Sequence, residues 1–302
     1  MSRTADTTPG GTAREAAAPA KINLFLHVGP RGADGYHPLE SLVVFTAFGD
    51  RMRLAPAGRF EFTRSGRFAD ALPEGATDDL TVRAIAGVAE IYGRAGDFAV
   101  ALEKNIPVAA GLGGGSADAG AAIRLVCGEW GVSENAPEVL ALAGRLGADV
   151  PMCLSSRTAW VSGRGDQVRP MPDVADLDLL LVNPGLPLST AEVFGAYDAT
   201  AALAGGSDVL PDLRSPSELV SYLGGQRNDL AGPAQALCPA IGEVLDALGR
   251  QDGCRLARMS GSGPTCFAIF DDPEACARAG DAIAAAAPGW WVRATRTRAD
   301  AA

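Results

Sequence analysis

A run of glycines between Gly111 and Gly115 points most directly to chemistry, because four of its five residues are glycine. The alternating residues Phe98–Glu103 before it predict a strand, and the alanine-rich residues after Ser116 predict a helix with Ser116 as its N-cap. Glycine permits backbone conformations in which successive N–H groups converge, and the unpaired amides of a helix start add partial positive charge. The stretch therefore predicts a phosphate-binding loop.

Two well-known phosphate motifs do not fit this loop. A Walker A motif requires lysine followed by serine or threonine after its last glycine, but no lysine lies between Gly111 and Val126. The dinucleotide pattern GxGxxG begins at Gly111 and Gly113 but has Ser116 in place of its third glycine. A loop without a ligand is the alternative, and the predicted capped helix directly behind the loop disfavours it.

Two pairs of polar residues nearer the N-terminus could bind or act on a ligand. Lys21 and Asn23 share one face of a strand that the alternating residues Lys21–Val28 predict, while the opposite face is aliphatic. Tyr36 and His37 end a turn-rich loop and place a flat ring beside a hydrogen-bonding imidazole. Each pair also has an ordinary structural interpretation, as a solvated lysine or as an aromatic cover for the core.

Asp149 is a candidate general base. It is the only acid between Glu138 and Asp166, and it follows a predicted helix that ends at Gly147. The local sequence leaves open whether its carboxylate forms a turn or is placed for catalysis. His27 has no evident partner, and we expect it to be structural.

The composition is that of an acidic globular protein. The chain has 302 residues, a formal net charge of −10 and 47% hydrophobic residues, and this length predicts about two domains. The negative charge disfavours a nucleic-acid partner, and no apolar run is long enough to span a membrane. The six cysteines lie at least ten positions apart and form no CxxC pair. With no signal peptide evident, these features predict a cytoplasmic protein with reduced thiols.

Strands and helices interleave in both halves of the chain, which predicts an α+β protein of two lobes. We expect a disordered tail over residues 1–15, an N-terminal domain over 16–165 and a C-terminal domain over 166–302. The polar segment 162–173 is the candidate junction, and the segment 200–217 is predicted to be a mobile insertion.

Several elements follow from local patterns. A second glycine-rich turn, Ser260–Pro264, is predicted between two strands, either as a plain hairpin or as a loop that closes over a polar ligand. Further predicted elements are strands at Ser41–Phe48, Arg51–Leu54 and Phe60–Thr63, a helix capped by Asp78 or Asp79, and a helix over Pro233–Leu248.

Six separated stretches together resemble one family. Three resemble the motifs of the GHMP kinase superfamily, which includes galactokinase, homoserine kinase and mevalonate kinase: Pro19–Leu24, Pro107–Ala117 and Met259–Thr265. Three more resemble the branch of that superfamily that phosphorylates 4-diphosphocytidyl-2-C-methyl-D-erythritol: Asp34–Ser41, Gly147–Pro151 and Asn183–Phe194. The likeness extends from Ala18 to the last predicted strand.

The resemblance implies both a fold and a reaction. The fold is an N-terminal domain like ribosomal protein S5 and a ferredoxin-like C-terminal domain, with the active site between them. In the reaction, ATP with Mg²⁺ phosphorylates the 2-hydroxyl of this small-molecule substrate in the non-mevalonate isoprenoid pathway. We expect a monomer or a weak homodimer. The alternatives are a mevalonate-type or homoserine-type kinase and a non-catalytic nucleotide-binding protein.

The resemblance also implies roles for individual residues, with Asp149 as the catalytic acid/base and Lys21 as its partner. The expected ATP-binding residues are Leu80, Lys104, Pro107, Val108, Ala109, Ala110, Gly111, Leu112, Gly113, Gly114, Gly115, Ser116 and Ala117. The expected substrate-binding residues are Asn23, Tyr36, His37, Thr190, Phe194, Gly261, Ser262 and Gly263. We expect magnesium to be held largely by ATP and water.

The sequence departs from the family pattern at two places. Ala109 and Ala110 stand where many members have glycine, and we expect the later glycines to suffice. Asp79 precedes Leu80 where asparagine is commoner, so the contacts to adenine are left open.

Overall fold

The computed structural model describes residues 12–33, 35–72, 79–197 and 213–298. The strands are β1 (Arg14–Asn23), β2 (His27–Val28), β3 (Leu39–Pro56), β4 (Glu61–Ser65), β5 (Phe98–Glu103), β6 (Ala159–Ser162), β7 (Gln167–Pro170), β8 (Asp178–Asn183), β9 (Cys254–Met259), β10 (Cys266–Phe270) and β11 (Trp291–Arg296). The helices are α1 (Leu80–Tyr92), α2 (Gly114–Trp130), α3 (Pro137–Leu146), α4 (Val150–Ser155), α5 (Thr190–Ala196), α6 (Pro216–Gly224), α7 (Ala231–Leu237), α8 (Ala240–Gly249) and α9 (Pro273–Ala286). The predicted α+β class is confirmed.

The first sheet is built around β3. Its strand order is β4-β5-β3-β6-β7, and β1 and β2 also pair with β3; β4 and β5 are parallel, and the other pairs are antiparallel. The prediction of two strands, Ser41–Phe48 and Arg51–Leu54, was wrong because β3 runs through Gly49 without a turn. Gly49 is needed for a close approach instead, since a Cβ there would lie 2.3 Å from the Ala18 carbonyl oxygen.

The predicted strand Lys21–Val28 is interrupted. β1 ends at Asn23, and the backbone of Leu26 then bonds to the second half of the chain, donating to the Arg227 carbonyl and accepting from the Asp229 amide. Phe25, expected on the polar face, is fully buried. Because Leu26 pairs with residues from the second half of the chain, the segment Phe25–Val28 is buried on both faces.

Helix α2 packs closely on the first sheet because its residues are small. Its buried alanines lie against β1 and β3, and a Cβ at Gly120 would lie 2.8 Å from the Cys153 backbone in α4. Helices α1 and α3 complete this layer. The prediction that Ser116 caps this helix was wrong, because the helix begins at Gly114, its N-cap is Gly113, and the Ala117 amide already donates to the Gly113 carbonyl.

The second sheet has the antiparallel order β11-β8-β10-β9. If β8 is counted as the first strand of this sheet and β11 as the fourth, the order is 4-1-3-2, which is the ferredoxin-like arrangement. Helices α8 and α9 pack on the sheet. The predicted helix over Pro233–Leu248 is two helices, α7 and α8, because Pro239 interrupts the helix at Cys238.

The segment between the sheets differs from its predicted form. Strands β6 and β7 form a hairpin of the first sheet, so the predicted boundary at residue 165 falls in the hairpin turn, and the chain passes to the second sheet between Pro170 and Asp178. Residues 1–11 of the predicted tail, and most of the segment 200–217, lie outside the described residues, while Arg14 already belongs to β1.

The six cysteines are free thiols, and all but the half-buried Cys254 are buried. This confirms the prediction of single thiols. Among the helices that the structure describes, none is long and apolar enough to cross a membrane.

Candidate active site

A cavity of about 1110 Å³ collects residues from all six motifs. It is lined by Lys21, Asn23, Tyr36, His37, Leu80, Lys104, Asp149, Thr190, Phe194, Gly261 and Ser262, and by all of residues 107–116 except Leu112. Among the predicted site residues, Leu112, Ala117 and Gly263 do not line it. Leu112 and Ala117 are buried in the apolar core, and the Gly263 amide bonds to the Ser260 carbonyl within its own turn.

The glycine loop needs its glycines for close contact as well as for backbone conformation. Gly111 and Gly113 have φ values of 74° and 66°. A Cβ at Gly111 would lie 2.7 Å from the carbonyl oxygens of Ser260 and Gly263, and a Cβ at Gly113 would lie 2.7 Å from Cγ of Lys21. The loop is therefore pressed against the second glycine-rich turn on one side and against the catalytic-lysine candidate on the other.

Ala109 adopts a left-handed conformation although it is not glycine. Its φ is 53°, in a region that costs an alanine about 1–2 kcal/mol. The loop thus carries backbone strain at the position where glycine is usual in the family pattern.

The turn between β9 and β10 is held in place by Asn228, which the sequence analysis missed. Its Nδ2 donates to the carbonyl oxygens of Met259 at 2.9 Å and Gly261 at 2.8 Å, and its Oδ1 accepts from the Leu230 amide. The sequence signal was only an Asn-Asp pair before a helix, which resembles an ordinary cap. The turn joins the hairpin of β9 and β10 and lines the cavity through Gly261, while its closing over a polar ligand stays a prediction.

Lys21 and Asp149 meet in the cavity. The Lys21 Nζ lies 3.4 Å from Asp149 Oδ2 and donates to Asn23 Oδ1 at 2.6 Å. The Lys21 side chain is 9% exposed and that of Asp149 is 36% exposed. Although Asp149 is at the N-cap position of α4, its side chain makes no capping hydrogen bond. Its carboxylate is therefore directed to Lys21 and does not close the local turn.

Asn23 is itself fixed by a chain of hydrogen bonds. Its Nδ2 donates to Ser41 Oγ at 2.7 Å, and Ser41 Oγ donates to the Phe25 carbonyl at 2.6 Å. The backbone amide of Asn23 donates to Ser260 Oγ in the second glycine-rich turn. These bonds fix the acceptor that orients the Lys21 ammonium.

Aromatic rings also line the cavity. The His37 ring lies 5.6 Å from the rings of Phe194 and Tyr197. His37 Nδ1 is 2.8 Å from the Gly29 carbonyl oxygen, so Nδ1 donates this bond and the neutral ring presents Nε2 as its acceptor. Tyr36 is 59% exposed, and the Arg164 guanidinium lies 5.1 Å from its ring centre.

Thr190 and Ser262 connect α5 to the second glycine-rich turn. Their hydroxyl oxygens are 2.8 Å apart, and both residues line the cavity. Thr190 is the first residue of α5, which is capped by Ser189. All the predicted substrate-binding residues except Gly263 thus line one cavity, and Tyr197 and Arg164 line it although they were not predicted.

Lys104 lies in the cavity wall, but its ammonium group is bonded to protein carboxylates. Its Nζ donates to Asp50 Oδ2 at 2.5 Å and to Asp118 Oδ2 at 2.6 Å. Burial lowers the pKa of Lys104, but the Asp118 and Asp50 carboxylates outweigh this effect and raise it above its usual value. Its predicted direct contact with ATP stays a prediction.

The carboxylates that line the cavity are Asp79, Asp118 and Asp149. Asp79 caps α1 by accepting from the Thr81 amide at 2.8 Å, which confirms one of the two predicted caps. Within the described ranges, no cluster of three or more His, Cys, Asp or Glu side chains suits a metal ion.

Comparisons with known proteins identify the family. The family profile described as GHMP kinases N terminal domain matches residues 79–157, and that described as GHMP kinases C terminal matches residues 209–289. The 4-diphosphocytidyl-2-C-methyl-D-erythritol kinase of Parvibaculum lavamentivorans is 45% identical to this chain, over 91% of this chain and 95% of the relative. The chain belongs to the 4-diphosphocytidyl-2-C-methyl-D-erythritol kinase family.

Solved structures agree with membership of this kinase family. A crystal structure of 4-(cytidine 5'-diphospho)-2C-methyl-D-erythritol kinase is 32% identical, with a TM-score of 0.75, and covers 94% of this chain and 100% of its own. The homoserine kinase of Cytophaga hutchinsonii has a TM-score of 0.71 at 19% identity, over 99% of this chain and 97% of its own, and shares the fold. The predicted GHMP kinase fold is confirmed.

Proposed function

We propose that this protein transfers the γ-phosphoryl group of ATP to the 2-hydroxyl of 4-diphosphocytidyl-2-C-methyl-D-erythritol. The observation that carries the proposal is the Lys21–Asp149 pair, which lies in one cavity with the glycine loop and the His37–Phe194 rings. Phosphoryl transfer depends mainly on in-line positioning and charge neutralisation. A cavity with a phosphate loop, an acid/base pair and an aromatic end supplies both requirements for this substrate.

The glycine loop and the start of α2 bind the triphosphate in this proposal. The backbone amides of Gly113, Gly114 and Gly115 stand at a helix N-terminus, where partial positive charge favours anions. Leu80 and Val108 line the same part of the cavity and are suited to an apolar contact with adenine. The loop thus neutralises phosphate oxygens without a Walker lysine.

Asp149 accepts the proton of the attacking hydroxyl. Lys21, 3.4 Å away, stabilises the alkoxide oxygen as negative charge develops on it. Asn23 keeps the Lys21 ammonium between itself and Asp149. The acid and its cationic partner are therefore oriented before the substrate arrives.

The cytidine end of the substrate binds among the aromatic rings. Tyr36 and Phe194 offer flat faces for stacking, and His37 Nε2 can accept a hydrogen bond from the base. Thr190, Ser262 and the backbone of Gly261 stand near enough to one another to bind the neighbouring polar groups.

Magnesium is compatible with the donors that line the cavity. Asp79 and Asp118 are already bonded within the protein, and Asp149 is paired with Lys21. Few other side-chain oxygens line the cavity beside the glycine loop, among them the Ser116 hydroxyl. This sparse set suits an ion held mainly by phosphates and water. When bound, the ion neutralises charge on the β- and γ-phosphates.

Turnover of wild-type protein and of Asp149→Asn tests the proposal. ADP release is measured with magnesium-ATP and 4-diphosphocytidyl-2-C-methyl-D-erythritol, and Asp246→Asn, an exposed carboxylate on α8, is the matched control. We expect Asp149→Asn to lose about 10²–10⁴-fold in kcat with its fold intact, and the control to retain wild-type activity. A loss under tenfold would remove the acid/base role.

The choice of substrate is tested in the same assay. Mevalonate and homoserine are offered in place of the diphosphocytidyl substrate. Turnover with either of these alone would overturn the proposed substrate, and ATP binding without any turnover would make the protein a nucleotide-binding protein.

A further inference from the structure

Three charged side chains are buried together beneath the glycine loop. Asp50 belongs to β3, Lys104 follows β5 and Asp118 lies in the second turn of α2, and their exposures are 0%, 2% and 3%. The Lys104 ammonium is shared between the two carboxylates. We refer to Asp50, Lys104 and Asp118 as the buried triad.

The buried triad contacts the chain where it enters the loop. Asp50 Oδ1 accepts from the backbone amides of Asn105 at 2.5 Å and Ile106 at 2.7 Å, the two residues before Pro107. The backbone of Lys104 is fixed as well, since its amide donates to the Ser65 carbonyl. The first residues of the loop are therefore oriented by the carboxylate of Asp50.

The buried triad also contacts the chain where it leaves the loop. Asp118 lies on α2, and Gly114, the first residue of that helix, packs on Lys104 so closely that a Cβ would lie 3.0 Å from Nζ. One ammonium group thus joins both ends of the phosphate-binding loop.

Burial prevents Lys104 from readily leaving its partners. Asp118 Oδ1 has no hydrogen-bond partner in the part of the chain that is described, so the Lys104 ammonium on Oδ2 is the main compensation for burying this carboxylate. Moving the ammonium to a phosphate would leave two buried carboxyl groups without their cation, which is strongly unfavourable.

We propose that Lys104 is a positioning residue and that the buried triad holds the glycine loop in the conformation that binds the triphosphate. Lys104 acts on ATP through the loop and makes no contact with the phosphates. The inference deepens the proposed function and rests on it for the identity of the nucleotide.

The affinity of Asp118→Ala for magnesium-ATP separates this inference from a direct contact. Alanine suits the alanine-rich helix α2, so the variant removes one partner of Lys104 without disfavouring the helix. Breaking the buried ion pair should also lower the free energy of unfolding. Positioning predicts that Kd for magnesium-ATP, measured by calorimetry, rises about tenfold, while KM for the diphosphocytidyl substrate stays within about twofold of wild type. A direct Lys104–phosphate contact predicts unchanged or tighter ATP binding, because the ammonium is freed, and that result would overturn the inference.

Two further variants keep the test decisive. Asp118→Asn retains an oxygen acceptor for Lys104, and we expect it to recover part of the lost ATP affinity. If Asp118→Ala does not fold, the Asp118→Asn variant decides alone, and tighter ATP binding than wild type would count against positioning. Asp271→Asn, an exposed carboxylate paired with Arg255, is the control that should bind ATP as wild type does.

The assay also distinguishes failure of this inference from failure of the proposed function. If wild-type protein does not bind magnesium-ATP or turn over the diphosphocytidyl substrate, the proposed function fails. If the wild type does both and Asp118→Ala binds ATP normally, only the positioning role fails.

Discussion

The lysine at the site is oriented by a chain of polar groups that leads from the cavity into the first sheet. Lys21 is held by Asn23, which is held by Ser41, whose hydroxyl bonds to the backbone. Such second contacts limit the rotamers of the reacting group, and losing one leaves a buried polar atom without a partner. The geometry of the proposed Lys21–Asp149 pair therefore depends on Ser41, which lies on the central strand of the first sheet.

His27 is also buried, but among the described residues its ring has no hydrogen bond that would compensate for the loss of water. Neither ring nitrogen has a hydrogen-bond partner among the residues described, and Glu40 Oε2 is 3.7 Å from Nδ1. Burial and the charge of Arg227 lower the pKa of His27, and the charges of Asp229 and Glu40 only partly oppose them. The folded protein thus favours the neutral ring.

We predict that His27 makes the protein less stable as the pH falls. The unfolded chain takes up a proton near the ordinary histidine pKa of about 6.5, whereas folded His27 resists it. The free energy of unfolding should therefore decrease as the pH drops below that value. Urea denaturation between about pH 7.5 and pH 5.5 measures the slope.

His27→Leu provides the control for this slope. The variant should show a flatter pH dependence over the same window. His37 is the only other histidine, so a slope that is unchanged in His27→Leu would assign the effect to His37 or to carboxylates.

The sequence predicted which residues belong to the site more completely than it predicted the contacts between them. Lys21, Asp149 and the glycine loop were predicted by type and spacing, and they line one cavity. The pairing of Lys104 with Asp50 could not be predicted, because those residues are 54 positions apart. Asn228 was missed for the same reason, since its partners belong to a distant turn.

At the scale of elements, glycines had two different functions that look alike in the sequence. The Gly49-Asp50 pair resembles a turn, yet β3 passes straight through it because β1 lies against Gly49. At Gly111 the backbone does need a left-handed conformation, with φ of 74°. The sequence alone could not separate these functions, because both require the absence of a Cβ.

We predict that Gly111→Ala is strongly destabilising. The added Cβ would meet two carbonyl oxygens at 2.7 Å in a left-handed conformation. Strain and overpacking together should cost about 2–4 kcal/mol in the free energy of unfolding, with a matching loss of ATP binding. Urea denaturation and nucleotide titration measure the two effects.

Gly144→Ala is the matched control for this variant. Gly144 lies in α3, and its Cβ position is open. Alanine there should stabilise the helix by about 0.5–1 kcal/mol. If Gly111→Ala and Gly144→Ala changed the free energy of unfolding equally, the close packing of the two glycine-rich turns would be contradicted.

At the scale of the molecule, the two sheets share one apolar cluster. Ile22 and Leu42 of the first sheet belong to the same buried cluster as Leu179 and Phe267 of the second. The bridge between Thr46 and Thr297 adds a further link, as does the hydrogen bond from the Arg298 amide to the Phe45 carbonyl. The two lobes, predicted from alternating elements, thus each have a buried cluster of their own and also share this third one.

We predict that the two halves unfold in a single transition. Separating them would expose the shared cluster, so neither half should remain folded alone. Far-UV circular dichroism and the fluorescence of Trp130 and Trp290, each measured in a variant without the other tryptophans, should change at the same urea concentration, because these two rings pack on the separate clusters of the two halves. Two separate transitions would show that the halves fold independently.

The contact of Gly111 with Ser260 and Gly263 has a consequence for how a ligand enters. The two turns meet backbone to backbone, and Arg258 of the second sheet donates to the Leu24 carbonyl of the other half. A hinge that swings the halves apart would break these contacts, so the cleft is already assembled before any ligand arrives. Such preorganisation lowers the cost of binding, and it leaves the admission of a bulky nucleotide to side chains at the rim, among them the exposed Tyr36.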